Sequence, residues 1–173
     1  MPVALLKPLT FMFKDDGAVP NNPALPMLVY KNALRLGADP ESTIETMFTA
    51  NGWGRDMWRD GVFPYPHYHS MIHEALGIAR GSARIRFGGA QGEELEVEAG
   101  DIAVLPAGTG HQRLSASGDF RVIGGYPPEG HYNLCRGAKS EHDKAVQTIP
   151  LVPVPDSDPV LGKNGPLTTI WKC

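Results

Sequence analysis

The chain has 173 residues, 42% of them apolar and 20% charged, with a net charge of −3 from 16 basic and 19 acidic side chains. That length suits one domain able to bury a core, and the absence of a basic patch or tail argues against nucleic acid as a partner. No stretch reaches the roughly 20 apolar residues of a membrane helix, so no membrane partner is expected. The apolar run near the N-terminus is broken by Lys7 and Pro8, and the two cysteines, Cys135 and Cys173, are too few for a disulfide framework. The expected location is therefore the cytoplasm.

Glycine (20) and proline (16) are frequent and dispersed, as expected of many turns between short strands. In chain order, residues 11–13 start a strand and residues 14–23 form an irregular, turn-rich segment. A short strand is predicted over residues 25–30, with Pro26 limiting it to an edge or a strand start. The helix signal lies over residues 40–51. Asp39 suits the N-cap, Pro40 the first helical position and Glu41 the first turn, and Gly52 follows the end. Ile44, Met47 and Phe48 form the apolar stripe that packs this helix on the remainder, with Trp53 and Trp58 filling the space between helix and barrel.

From Gly61 onward the pattern becomes alternating. Ala83, Ile85 and Phe87 alternate with Arg84 and Arg86, and Leu95 and Val97 alternate with Glu94, Glu96 and Glu98. Residues 88–92 provide the turn of a hairpin whose arginines face glutamates. Residues 102–105 read as a strand buried on both sides, and residues 120–126 as the next strand. Such strands with Gly and Pro punctuation predict a mostly β protein, a sandwich or barrel. Beyond Tyr126 the chain turns irregular, with a short helix over residues 140–146 and a late strand over residues 167–171.

The chemistry concentrates between Gly61 and His111. His67 and His69 stand two apart, so in a strand both leave from one face with Cα atoms roughly 6–7 Å apart. Glu74 is offset by five from His69, so the chain must fold back between them. His111 follows the turn at residues 106–110. The reading is that His67, His69, Glu74 and His111 meet on one metal inside a β-barrel. Three imidazoles and a carboxylate suit divalent Fe, Mn, Ni or Zn and leave coordination positions for substrate. His73 with Glu74 begins a zinc-protease motif, but Gly77 stands where its second histidine belongs, so His73 is expected at the surface or behind the ligands. Gly108 and Gly110 begin a dinucleotide loop that Arg113 breaks. Cys135 lies four residues from His131, with no geometry that orients the pair as a nucleophile. Tyr126, His131, Tyr132 and Arg136 follow the last barrel strand and are candidates for the cavity mouth, where Arg136 would suit a carboxylate-bearing substrate.

These spacings resemble the cupin superfamily. Gly61, His67, His69, Glu74 and Gly81 match its first motif, and Gly100, Pro106, Gly108 and His111 match its second, with Ser115 where the family has asparagine. The two motifs cover residues 61–115. Residues 13–17 and 20–23 resemble more narrowly a group of small bacterial single-domain cupins with no assigned activity. The resemblance implies a double-stranded β-helix, or jelly-roll barrel, with one N-terminal helix and short peripheral helices. The implied layout is one domain over residues 1–173. Its barrel core covers about 61–126, flanked by an N-terminal extension (1–60) and an irregular C-terminal one (127–173). Homodimer formation is also implied. The functions it implies are a metal-dependent enzyme on a small organic molecule, dioxygenase- or isomerase-like, or a non-catalytic, metal-organised small-molecule binder or sensor. It assigns no catalytic residue beyond the ligands.

Overall fold

A computed structural model describes residues 6–172. Residues 1–5 of the N-terminal extension, and Cys173, lie outside that range. Nine strands form two antiparallel sheets. They are β1 (Leu9–Phe11), β2 (Met27–Tyr30), β3 (Arg55–Asp60), β4 (Glu74–Arg80), β5 (Ser82–Phe87), β6 (Glu93–Glu98), β7 (Ile102–Leu105), β8 (His111–Ala116) and β9 (Arg121–Tyr126). The larger sheet runs β1-β2-β7-β4-β9-β3 and the smaller β6-β5-β8. Three helices, α1 (Pro40–Ala50), α2 (Lys139–Thr148) and α3 (Leu167–Ile170), lie outside them.

The inner strands of the six-stranded sheet are buried on both faces, which explains why β2 and β7 have no exposed residue. One face turns Met27, Val29, Leu76, Ile78, Leu105 and Val122 toward Ala83, Ile85, Phe87 and Val97 of the smaller sheet. The opposite face carries Leu28, Tyr30, Val104 and Ile123, covered by Ile44 and Phe48 of α1 with Trp53, Leu167 and Trp171. Full burial of side chains such as Ile44 and Phe48 contributes about 1.5–3 kcal/mol each.

Helix α1 starts where its capping chemistry predicts. The Asp39 carboxylate accepts from the Ser42 amide, Pro40 opens the helix, and Gly52 takes φ +80° after its end. Glu41 is fixed to the barrel by two bonds from Arg80, at 2.7 and 3.0 Å. In the β5–β6 hairpin Arg84 lies opposite Glu96 and Arg86 opposite Glu94, the last pair at 3.1 Å.

Several elements differ from the sequence reading. The first strand is Leu9–Phe11, two residues earlier than expected. Pro26 stands just before β2, which lies inside the sheet between β1 and β7. The C-terminal segment expected as a strand is helix α3. It lies over the face of the larger sheet, where no strand edge is offered, so its backbone closes on itself through Ile170 N–H to Pro166 and Trp171 N–H to Leu167. Strands β3 and β8 carry no clear period in the sequence, because the cavity they line breaks their apolar alternation.

Candidate metal centre

The site forms where a short extended segment, residues 67–69, joins the end of β8. His67 and His111 exchange both backbone hydrogen bonds, at 3.2 and 2.9 Å, which sets their rings side by side with centroids 3.9 Å apart. Alternation then sends His69 to the same side as His67, while Tyr68 turns the other way into a cluster with Val19, Cys135 and Ile149. The chain bends through residues 70–73, and Glu74 enters as the first residue of β4, opposite Leu105. The ligand atoms of His67, His69 and His111 lie within 4.8 Å of one another. Glu74 Oε1 is 3.5 Å from His69 Nε2 and 3.4 Å from His111 Nε2. All four side chains are buried.

The turn before His111 is held from three directions. Gly108 takes φ +96°, and a Cβ there would meet the Asn21 carbonyl oxygen at 2.7 Å. Asn21 accepts from the Gly110 amide, and Asn22 donates to the Ala107 carbonyl. His73 is fully buried and its Nδ1 accepts from the Ala107 amide at 2.8 Å, while its Nε2 faces the Pro153 carbonyl at 3.1 Å. His73 is therefore a support of the turn and not a surface residue. Burial pushes its pKa down to about 4. The supporting roles of Asn21, Asn22 and Asn133 carry no spacing signal in the sequence, because each depends on contacts across the fold.

The three site imidazoles share one polarity. Their Nδ1 atoms face backbone carbonyls, His67 that of Tyr65 at 3.0 Å, His111 that of Thr109 at 3.1 Å and His69 that of Asn133 at 2.5 Å. A carbonyl accepts only, so each Nδ1 carries a proton, and a ring in its neutral form leaves the Nε2 lone pair pointing inward. Burial, reinforced by His111, holds His67 neutral, with its pKa lowered to about 3. Burial alone would raise the pKa of Glu74 and lower that of His69. The attraction between the two outweighs it, so Glu74 is held below the usual carboxylate range and His69 is raised.

Glu74 is divided. Its Oε2 accepts from the Tyr126 hydroxyl at 2.9 Å, and that oxygen accepts in turn from Trp58 Nε1 at 2.9 Å. Its Oε1 is buried without a hydrogen-bond partner. Three inward-facing Nε2 atoms and a carboxylate oxygen without a hydrogen-bond partner, all converging, make a set that a divalent cation fits.

Above this cluster opens a cavity of about 590 Å³. Its lining includes Trp58, Val62, Phe63, Leu76, Arg113, Tyr126 and Tyr132. Trp58 is thus a cavity residue as well as a packing one, whereas Trp53 is wholly buried against Trp171. Of the expected mouth residues, Tyr126 and Tyr132 reach the cavity. His131 and Arg136 do not line it. Tyr132 reaches over His69, with ring centroids 5.0 Å apart, whereas its neighbour His131 is exposed away from the cavity lining. The Arg136 guanidinium lies 3.6 Å over the Tyr65 ring instead. Cys135 is buried and its thiol pKa is raised by that burial, which makes it a poor nucleophile.

Two facing antiparallel sheets that bring a His-x-His pair and a third histidine together inside the barrel match the cupin jelly-roll fold. No protein-family model matches the chain. Over 162 residues, 94% of this chain and 95% of the relative, it is 43% identical to the uncharacterized protein YjlB of Bacillus subtilis (strain 168). The chain belongs to the YjlB family.

Solved structures of lower similarity also align. An acireductone dioxygenase from Bacillus anthracis, with a cadmium ion in its active centre, is 19% identical with a TM-score of 0.35, over 51% of this chain and 60% of that one. The Bacillus subtilis oxalate decarboxylase, described with Mn(II) centres, is 18% identical with a TM-score of 0.35, over 64% of this chain and 27% of that one. An 11S globulin from Wrightia tinctoria is 16% identical with a TM-score of 0.38, over 45% of this chain and 21% of that one. This chain thus spans well under a third of the decarboxylase and of the globulin. Among the described residues, no helix is long and apolar enough to cross a membrane.

Proposed function

We propose that the protein is a metal-dependent enzyme acting on a small organic molecule, of the dioxygenase or isomerase kind. His67, His69, Glu74 and His111 hold one divalent transition metal, Fe, Mn, Ni or Zn. The observation that carries the reading is Glu74 Oε1, buried without a hydrogen-bond partner and facing the Nε2 atoms of His69 and His111 at 3.5 and 3.4 Å. Such an ion supplies Lewis acidity and, if it is iron, dioxygen activation.

The chain's own residues prepare the rest. The carbonyls of Tyr65, Thr109 and Asn133 fix the ring tautomers, and Tyr126 pins one carboxylate oxygen so that the other stays aimed inward. Burial, then the Glu74 charge, raise the pKa of Tyr126 and Tyr132. Both phenols therefore keep their protons near neutral pH and act as hydrogen-bond donors, not bases. Val62, Phe63 and Leu76 keep water away from one side of the cavity.

The second reading is a non-catalytic, metal-organised binder or sensor. The mostly apolar walls favour it, since hydrophobic and aromatic side chains make up much of the lining. Elemental analysis of untagged protein, followed by oxygen-uptake screening with catechols, thiols and keto acids, tests both. About one divalent ion per chain, lost in His67→Ala and His111→Ala, with turnover of one compound, is the expected result. Metal without turnover of any compound favours the binder, and protein that takes up no metal overturns both.

A further inference from the structure

Arg113 follows His111 by two positions on β8, so both side chains leave the strand toward the barrel interior. It pairs across to Ile85, an inward residue of β5, just as His111 pairs to Phe87. A half-buried arginine inside a barrel requires a partner, and the cations around it already have theirs. Arg59, on the same cavity, is held by Glu45 through two bonds at 2.9 and 2.6 Å. Arg80, Arg84 and Arg86 pair with Glu41 and Glu94. Among the described residues no carboxylate lies within ion-pair distance of Arg113, whose Nη1 instead approaches Gly61. The acidic residues at the mouth are otherwise engaged, since Asp60 accepts from the Gly61 amide and Asp56 lies beside Arg55. Gly61 matters here, because a side chain in its place would begin 3.9 Å from the guanidinium.

We propose that Arg113 is the anion-binding residue of this cavity, and that the ligand is a small monocarboxylate with an apolar or aromatic body. The carboxylate meets the Arg113 guanidinium, and the body lies against Trp58, Phe63 and Tyr132. This rests on the metal-site reading above and deepens it by naming the ligand class. A guanidinium presents a planar fork that matches a carboxylate, whereas a dianionic phosphate calls for more donors than one arginine and these apolar walls supply. A cavity of about 590 Å³ falls in the range of small-molecule sites, roughly 300–1,000 Å³. Arg136, outside the cavity, plays no part in this recognition.

The test is calorimetric titration of metal-loaded and metal-free full-length protein with three aryl carboxylates (benzoate, phenylacetate and 3-phenylpropionate), with their neutral amides, and with phenyl phosphate. At least one carboxylate is expected to bind tenfold or more tightly than its amide and than phenyl phosphate. Arg113→Gln should erase that preference and Arg113→Lys should retain part of it, with metal content unchanged in both. The wild-type comparison of acid with amide stands even if a variant does not fold. No preference for any acid over its amide, a preference surviving Arg113→Gln, or tighter binding of phenyl phosphate would overturn the proposal. If no metal binds yet the metal-free protein shows the Arg113-dependent preference, the metal reading fails and the anion site stands.

Discussion

Tyr126 donates to one oxygen of Glu74 and leaves the other for the imidazoles, so a single hydroxyl sets the aim of a ligand. Tyr126→Phe should weaken divalent-metal affinity about 10–100-fold, as loss of such an outer support typically does. Chelator competition measures the affinity, and an unchanged value would show that Glu74 needs no such anchor. Acid should act on a different set of residues. His67 and His73 are neutral in the fold, with pKa values lowered to about 3 and about 4 from an ordinary 6.5. Below pH 6.5 the unfolded chain binds protons that the folded one refuses. Their contribution is therefore complete above that pH and is lost as pH falls toward 4. Glu41, lowered to about 2 by its bonds from Arg80, loses its contribution in a lower window, below its ordinary 4.5. Melting curves of metal-free protein should already decline between pH 6.5 and 4.5, and a flat profile there would contradict the burial argument. His67, His69, Glu74 and His111 are visible in the sequence because they stand at the spacings of two motifs. Arg113 stands out in the sequence only as the residue that breaks a dinucleotide loop, since nothing local says that its strand faces inward.

At the scale of elements, β3 and β9 meet where Trp58 lies opposite Gly124. A Cβ at Gly124 would fall 2.0 Å from the Trp58 ring. Gly124→Ala should therefore displace the indole from the cavity, break its bond to Tyr126 and destabilise the fold by about 1–3 kcal/mol. A red shift of tryptophan emission together with a lowered melting temperature would register it, and wild-type values for both would refute it. Asp39→Ala removes the α1 cap and should cost about 1 kcal/mol without altering metal content, measured by denaturant titration. The α1 helix and the β5–β6 hairpin were legible because their signals are local: a cap, a proline at the first position, arginines alternating against glutamates. Strands β3 and β8 were not, because the faces they turn to the cavity carry Asp56, Trp58, His111 and Arg113 in place of apolar residues. Asp56 also takes φ +48° at a bulge, which interrupts the period further. The segment holding α3 reads as a strand from Thr168, Thr169 and Ile170. Position over a sheet face decided otherwise.

Across the whole molecule, the larger sheet is the shared wall of two interiors, one carrying the cavity and one closed by α1 and the C-terminal segment. That segment belongs to the core despite its irregular backbone. Asp158 accepts from the amides of Val160, Leu161 and Leu167 and from the Tyr30 hydroxyl, and Trp171 donates to the Pro26 carbonyl. Asp158→Ala leaves buried donors unpaired and should cost about 4 kcal/mol, lowering the melting temperature by roughly 10 °C in a chain this size. An unchanged melting temperature would make the segment peripheral. The metal centre lies at the meeting of β4, β8 and residues 67–69, all of which depend on that wall. Anomalous diffraction from crystals grown with Mn(II) addresses the centre directly. One strong peak is expected, roughly 2.0–2.3 Å from the Nε2 atoms of His67, His69 and His111 and from Glu74 Oε1. Bare density at that point, or a peak held by other residues, would contradict it.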